Sequence, residues 1–217
     1  MWRRRLELTF KLIYNFLRVF IQLIRGVWRV SKLPTPLVSI FGGARIAQKD
    51  SHFAQAHDLA QRLVINGISV LTGGGPGIMQ AVNCGITHAN EATGKNLGIG
   101  VIALDEERDP CLSDYIELDY FFARKWLLTH YSQAFIIFPG GYGTLDELFE
   151  VLTLMQTKKM DRVPIILVGT SYWQPFIDWL NEKPLKYGAI LSEDIQLFSL
   201  VDDIDTLFDV IKTICKK

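Results

Sequence analysis

From Pro36 onward the chain alternates between short runs of contiguous apolar residues and longer segments of helical periodicity. The runs are Val38–Phe41, Ser69–Thr72, Leu97–Leu104, Tyr115–Leu118, Gln133–Phe138, Val163–Val168 and Leu197–Val201. Between and after them fall helical segments at Ser51–Asn66, Gly77–Asn90, Phe121–Tyr131, Leu145–Gln156, Trp173–Asn181 and Ile204–Ile214. Most of these strands are continuous apolar runs, which indicates burial on both faces, and the β–α alternation indicates a parallel sheet. The expected fold is therefore α/β: a Rossmann-like, doubly wound parallel sheet with helices on both faces. With 217 residues, 49% of them hydrophobic, the chain suffices for one such domain with a full core. No internal repeat or low-complexity segment interrupts it.

Residues 1–33 stand apart. Leu6, Phe10, Ile13, Leu17, Phe20, Ile24 and Trp28 step by three or four and form a helical apolar stripe, while Arg4, Lys11, Arg18 and Arg25 step by seven and form a cationic one. The charges interrupt the segment too often for it to span a bilayer, and it lacks the pattern of a signal peptide. A basic amphipathic helix of this kind either packs on the domain or on a second subunit, or makes peripheral contact with an anionic membrane. Pro34 and Pro36 end the helix, so residues 1–33 form an N-terminal helix and residues 34–217 the α/β domain. The formal net charge of zero gives no general attraction for nucleic acid. Cys84, Cys111 and Cys215 form no CxxC and no Cys/His cluster, which reads as three reduced thiols and a cytoplasmic setting. His52, His57, His88 and His130 have no metal-ligand spacing, and no metal is expected.

In an open parallel sheet, ligands bind beyond the carboxyl ends of the strands. Four segments of suggestive composition fall on that rim. Gly42-Gly43-Ala44-Arg45 follows the first strand, with Arg45 either a phosphate contact or a surface residue. Thr72-Gly73-Gly74-Gly75-Pro76-Gly77 follows the second and is denser in glycine than a turn requires. It fails the G-x-G-x-x-G fingerprint at Ile78 and lacks the Lys-Ser/Thr of a P-loop. Arg124 and Lys125 occupy the first turns of a helix, where the macrodipole disfavours cations, so an anionic partner is expected: Glu147 or a substrate phosphate. The run Pro139-Gly140-Gly141-Tyr142-Gly143-Thr144-Leu145-Asp146-Glu147 places glycines and a threonine at a helix N-terminus, an anion site by construction, with Thr144 serving as helix cap, phosphate contact or both. Glu147, one turn further in, is either a dipole-favoured acid or a reacting group.

Gly73-Gly74-Gly75-x-Gly77-x-Met79, Arg124-Lys125 and Pro139-Gly140-Gly141-x-Gly143-Thr144-x-x-Glu147 together resemble the LOG ("Lonely Guy") proteins, cytokinin riboside 5′-monophosphate phosphoribohydrolases formerly labelled lysine decarboxylases. The resemblance covers residues 34 to 217. It implies hydrolysis of the N-glycosidic bond of a nucleoside 5′-monophosphate, of the AMP or cytokinin riboside monophosphate type, to free base and ribose 5-phosphate, without a cofactor. It implies Arg124 and Glu147 as the catalytic pair. Substrate contacts would come from Gly43, Gly74, Gly75, Gly77, Met79, Lys125, Gly140, Gly141, Gly143 and Thr144. It also implies a homodimer or larger homo-oligomer. No lysine sits in a recognisable pyridoxal phosphate setting, so the decarboxylase label has no support in the residues. The alternative is a nucleotide- or molybdenum-cofactor-binding carrier of the same fold that performs no hydrolysis. On physical grounds Glu147 would stabilise the cationic ribosyl centre, and Arg124 would hold it in place and keep it ionised.

Overall fold

The computed structural model describes residues 2–102 and 111–215. A single sheet of seven strands forms: β1 (Leu37–Phe41), β2 (Ser69–Thr72), β3 (Asn96–Val101), β4 (Tyr115–Leu118), β5 (Phe135–Ile137), β6 (Ile165–Val168) and β7 (Phe198–Val201). Its order is β4-β3-β2-β1-β5-β6-β7, and every pairing is parallel. Chain order reverses direction between β1 and β5, the two central strands. This is the doubly wound arrangement, and it places a crevice at the carboxyl ends of β1 and β5. The end of the expected third strand, residues 103–104, lies outside the described residues.

Helices cover both faces. α2 (Ser51–Ile65), α3 (Ile78–Thr87) and α8 (Ile204–Cys215) pack on one; the end of α1 (Trp2–Val30), α4 (Phe121–His130), α5 (Tyr142–Gln156) and α6 (Thr170–Leu180) pack on the other. A short helix, α7 (Ser192–Ile195), precedes β7. Alternation along the strands divides the core: Val38 and Ile40 face α2 and α3, while Leu37 and Phe41 belong to the opposite cluster. α2 shows how sequence sets an element. Asp50 caps it by accepting the backbone N–H of His52, and Ala56, Leu59, Ala60, Leu63 and Val64 recur on one buried face. Full burial of Leu59 and of Leu63 contributes about 2 kcal/mol each.

Two expectations change. α5 begins at Tyr142, three residues before Leu145, with Gly141 as its N-cap; Thr144 therefore lies inside the first turn and does not cap the helix. Cys84 and Cys111 form a disulfide that ties α3 to the segment entering β4, so the reading of three reduced thiols fails at those two and holds only for Cys215. Among the described residues no helix is long and apolar enough to cross a membrane, and no group of His, Cys, Asp and Glu is arranged to hold a metal.

α1 is a single helix, but it docks by its polar side. Arg18 pairs with Asp119 (2.6 Å), Arg29 pairs with Asp114 (2.5 Å), and Gln22 accepts the backbone N–H of Asp119. Gly26 and Val30 are buried there, Gly26 directly against Leu127. The apolar stripe read from the sequence points away from the domain, leaving Phe10, Leu17, Ile24 and Trp28 all more than half exposed.

Candidate active site

The loops after β1, β2 and β5 meet at the crevice because glycine lets their backbones touch. Gly43 donates its N–H to the carbonyl of Pro139 (2.9 Å), and a side chain at Gly43 would run into the Gly140 backbone. Gly77, at φ +68°, leaves no room for a side chain beside Gly43 and Ala44, and the N–H of Ile78 bonds the Gly43 carbonyl (3.1 Å). The glycine loop after β2 is set from below by buried polar groups. Thr72 Oγ1 accepts the Gly74 N–H (3.1 Å) and reaches Asn83, which also receives the Asn96 side chain. Gly73 lies under the Arg124 guanidinium and the Met79 sulfur, so any side chain at 73 would displace both. Arg124, Met79 and the β2 loop are thus one contact cluster.

α5 supplies the other wall. Gly141 provides no side-chain cap, and the first intrahelical bond reaches back from the Leu145 N–H to the Gly141 carbonyl. The N–H groups of Tyr142, Gly143 and Thr144 therefore have no helical acceptor, and the macrodipole adds partial positive charge around them. Gly141 and Gly143 both face open space, neither has positive φ, and nothing inside the protein requires glycine at either. Gly140 is different: Thr144 Oγ1 fills the place a side chain would take. The Tyr172 hydroxyl, from α6, donates to the Gly140 carbonyl (2.5 Å). Sequence reading missed Tyr172; its only signal is its place in the first turn after β6, on the same rim. Tyr115, also missed, lies across Gly74, Gly98 and Gly100. Its signal was the alternation of glycines in β3, Gly98 and Gly100, which clears a channel for a ring.

Glu147 is 8% exposed on the inner face of α5, and its Oε2 has no hydrogen-bond partner within the protein. Burial pushes its carboxyl up to about 7; the nearby charges of Arg124 and then Lys125 pull it down, and Glu150 and Asp146 push it up again. Arg124 and Glu147 interact through their charges without closing an ion pair, and the Arg124 Nε is likewise buried without a partner. Arg124 does favour the ionised carboxylate, as expected, but desolvation outweighs it. Lys125 turns elsewhere. It bridges Asp146 (2.7 Å) and Glu150 (3.0 Å), which together outweigh its burial and raise its pKa. Arg45 is exposed, whereas Gly74, Gly75, Gly77, Met79 and Thr144 are buried around the crevice. The arrangement is an amide-lined anion cradle beside a buried carboxyl and a guanidinium, each with a polar atom that has no partner within the protein.

Residues 79–211 match the family model described as "Possible lysine decarboxylase". A probable cytokinin riboside 5′-monophosphate phosphoribohydrolase of Arabidopsis thaliana is 33% identical over 163 residues, covering 71% of this chain and 76% of the relative. A second phosphoribohydrolase of the same description from Arabidopsis thaliana is 29% identical over 175 residues, covering 74% of each. Among solved structures, the molybdenum cofactor binding protein of Rippkaea orientalis superposes with a TM-score of 0.60 at 21% identity, covering 83% of this chain and 97% of that one. At that identity the last likeness establishes the fold alone.

Proposed function

We propose that this chain, which belongs to the LOG family, hydrolyses the N-glycosidic bond of a nucleoside 5′-monophosphate. The observation that carries the reading is Glu147: a buried carboxyl with an unfilled oxygen, held near neutrality beside Arg124 and one helical turn from an anion cradle. The 5′-phosphate occupies the N-terminus of α5, where the N–H groups of residues 142–144 and the space at Gly141 and Gly143 receive it. That contact fixes the ribose over the crevice, so binding energy from a non-reacting group orients the bond to be broken. As the base departs, positive charge develops at the anomeric carbon. An ionised Glu147 is shielded from bulk solvent, so its attraction to the emerging cation is strong. The interaction is much stronger in the transition state than in the ground state, as catalysis requires. The same carboxylate then accepts a proton from the attacking water and passes it to the departed base, which leaves as the neutral free base. Arg124 keeps a fraction of Glu147 ionised before substrate arrives. Met79, beside Arg124 and Gly73, forms part of the pocket wall.

A decarboxylase reading meets the wrong lysine. A Schiff-base lysine must lose its proton, whereas Lys125 is held charged by two carboxylates. The substrate is taken to be of the AMP or cytokinin riboside monophosphate class. Incubation with a panel of nucleoside monophosphates, assayed for free base and ribose 5-phosphate, tests the proposal. Release of both products in equal amounts supports it. Tight nucleotide binding with no product across the panel supports a non-catalytic carrier in its place.

A further inference from the structure

The first half of α1 overhangs the domain. Leu8 and Leu12 precede Gly26 and Val30 by eighteen residues, five full turns, and so lie on the same side of the helix. Gly26 and Val30 are buried against the domain, yet Leu8 and Leu12 are 59% and 70% exposed. Together with Phe16, Ile13, Leu17, Phe10 and Tyr14 they make the overhang largely apolar around roughly 240° of its circumference, interrupted at positions 3, 5 and 9 by Arg3, Arg5 and Thr9. Next to it lies a groove of about 1050 Å³, walled by the second half of α1 (Ile24, Val27), by α4 (Trp126) and by α5 (Phe149, Leu154).

We infer that the overhanging half of α1 from a second copy of this chain fills the groove, and that the two copies make the exchange reciprocally about a two-fold axis. Shape, length, charge and area point to that occupant. The groove is concave and helix-sized, which a flat bilayer does not fill. An interfacial helix also keeps a broad polar face to water, and the overhang has only a narrow one. Residues 2–16 form about 22 Å of helix at 1.5 Å per residue, and the α1 wall of the groove, from Phe20 to Ser31, runs about 18 Å. Residues 1–30 carry seven basic residues against Glu7 alone, so in a chain of zero net charge the remainder stands at about −6 and attracts a second copy's basic helix. Two basic residues that would otherwise face lipid, Arg18 and Arg29, are already paired with Asp119 and Asp114. Trp2, Phe10, Tyr14, Phe16, Phe20 and Trp28 are each more than half exposed, and at about 200 Å² per aromatic ring they alone offer roughly 700 Å². A stable interface needs about 800 Å² per partner. The isologous form follows because each chain carries both the helix and the groove.

Sedimentation velocity of the full chain in detergent-free buffer tests the exchange. The wild type is expected to be a dimer at micromolar concentration. A helix variant, Phe10→Asp with Phe16→Asp, and a groove variant, Phe149→Asp with Thr153→Asp, change only exposed residues, so circular dichroism should show both folded. Each should raise the dimer Kd at least about 100-fold. Mixed in equal amounts, they should form a dimer again, because one intact helix then meets one intact groove. A groove variant that remains dimeric, or a mixture that stays monomeric, overturns the proposal. So does a monomeric wild type that co-sediments with vesicles of phosphatidylcholine and phosphatidylglycerol.

Discussion

Glu147→Gln separates the electrostatics of the site from its chemistry. The carboxyl is moved from its ordinary 4.5 to about 7, with burial as the largest cause. A raised acid binds its proton more tightly in the folded than in the unfolded chain, so folding favours the neutral form. The contribution of this group to stability is therefore greatest below pH 4.5 and declines as pH rises to about 7, above which the deficit is constant. At about 1.4 kcal/mol for each tenfold change in proton affinity, the deficit is under about 1 kcal/mol at pH 5 and roughly 3 kcal/mol at pH 8. Glutamine has the same shape and no charge to desolvate. The variant should match the wild type at pH 5 within about 1 kcal/mol and exceed it by roughly 3 kcal/mol at pH 8. For a chain of this size that is an increase in Tm of about 6–12 °C. The assay is thermal unfolding of both proteins at pH 5, 6, 7 and 8, with nucleotide release measured on the same samples. Turnover should fall by at least about 100-fold at pH 8, and by less as pH drops below 7 and the wild-type carboxyl takes up its proton, while nucleotide binding is retained. A stability difference that does not grow with pH, or a variant less stable than wild type at pH 8, would refute the account of Glu147 as a carboxylate destabilised by burial. Unchanged turnover would remove it from the mechanism.

Three further outcomes are expected. Arg124→Gln removes the largest influence lowering the Glu147 pKa, so the acidic limb of the kcat/KM profile, expected near pH 7, should move to higher pH along with a loss of rate; a limb that stays in place separates Arg124 from Glu147. Gly141→Ala and Gly143→Ala meet no protein atom and should leave Tm within about 1 °C while raising KM, whereas Gly140→Ala collides with Thr144 and should lower Tm by several degrees; calorimetry and steady-state kinetics distinguish the two patterns. Reduction of the Cys84–Cys111 disulfide, or Cys84→Ser with Cys111→Ser, should lower stability by about 3.5 kcal/mol, as for a closed loop of this length, measured by denaturant unfolding with and without reductant.

The doubly wound sheet was legible because contiguous apolar strands and helical periodicity depend directly on which residues are buried. The same signal fails where an element is not packed. Tyr142 is 93% exposed, so the first turn of α5 carries no apolar mark, and periodicity located the helix only from Leu145. In α1 periodicity revealed a stripe but not its direction; that depends on Asp114 and Asp119, which are about a hundred residues away and have no pattern of their own. The disulfide joins cysteines 27 residues apart through a contact that only the tertiary fold creates. At the site, the glycine density of the loops and the nearness of Arg124 to Glu147 were readable. The balance between burial and charge at Glu147 was not, because it depends on how completely α5 is covered.

The Tyr172 hydroxyl bonds the carbonyl of Gly140, some thirty residues earlier in the chain. A peptide unit is planar and trans, so the oxygen of one residue and the N–H of the next point in opposite directions. Holding the Gly140 oxygen toward α6 therefore aims the Gly141 N–H the other way. A side chain from α6 thus sets the bearing of a backbone donor at the entrance to α5. Rotating that one plane would realign a donor while leaving the loop sequence, the helix and the carboxyl of Glu147 unchanged.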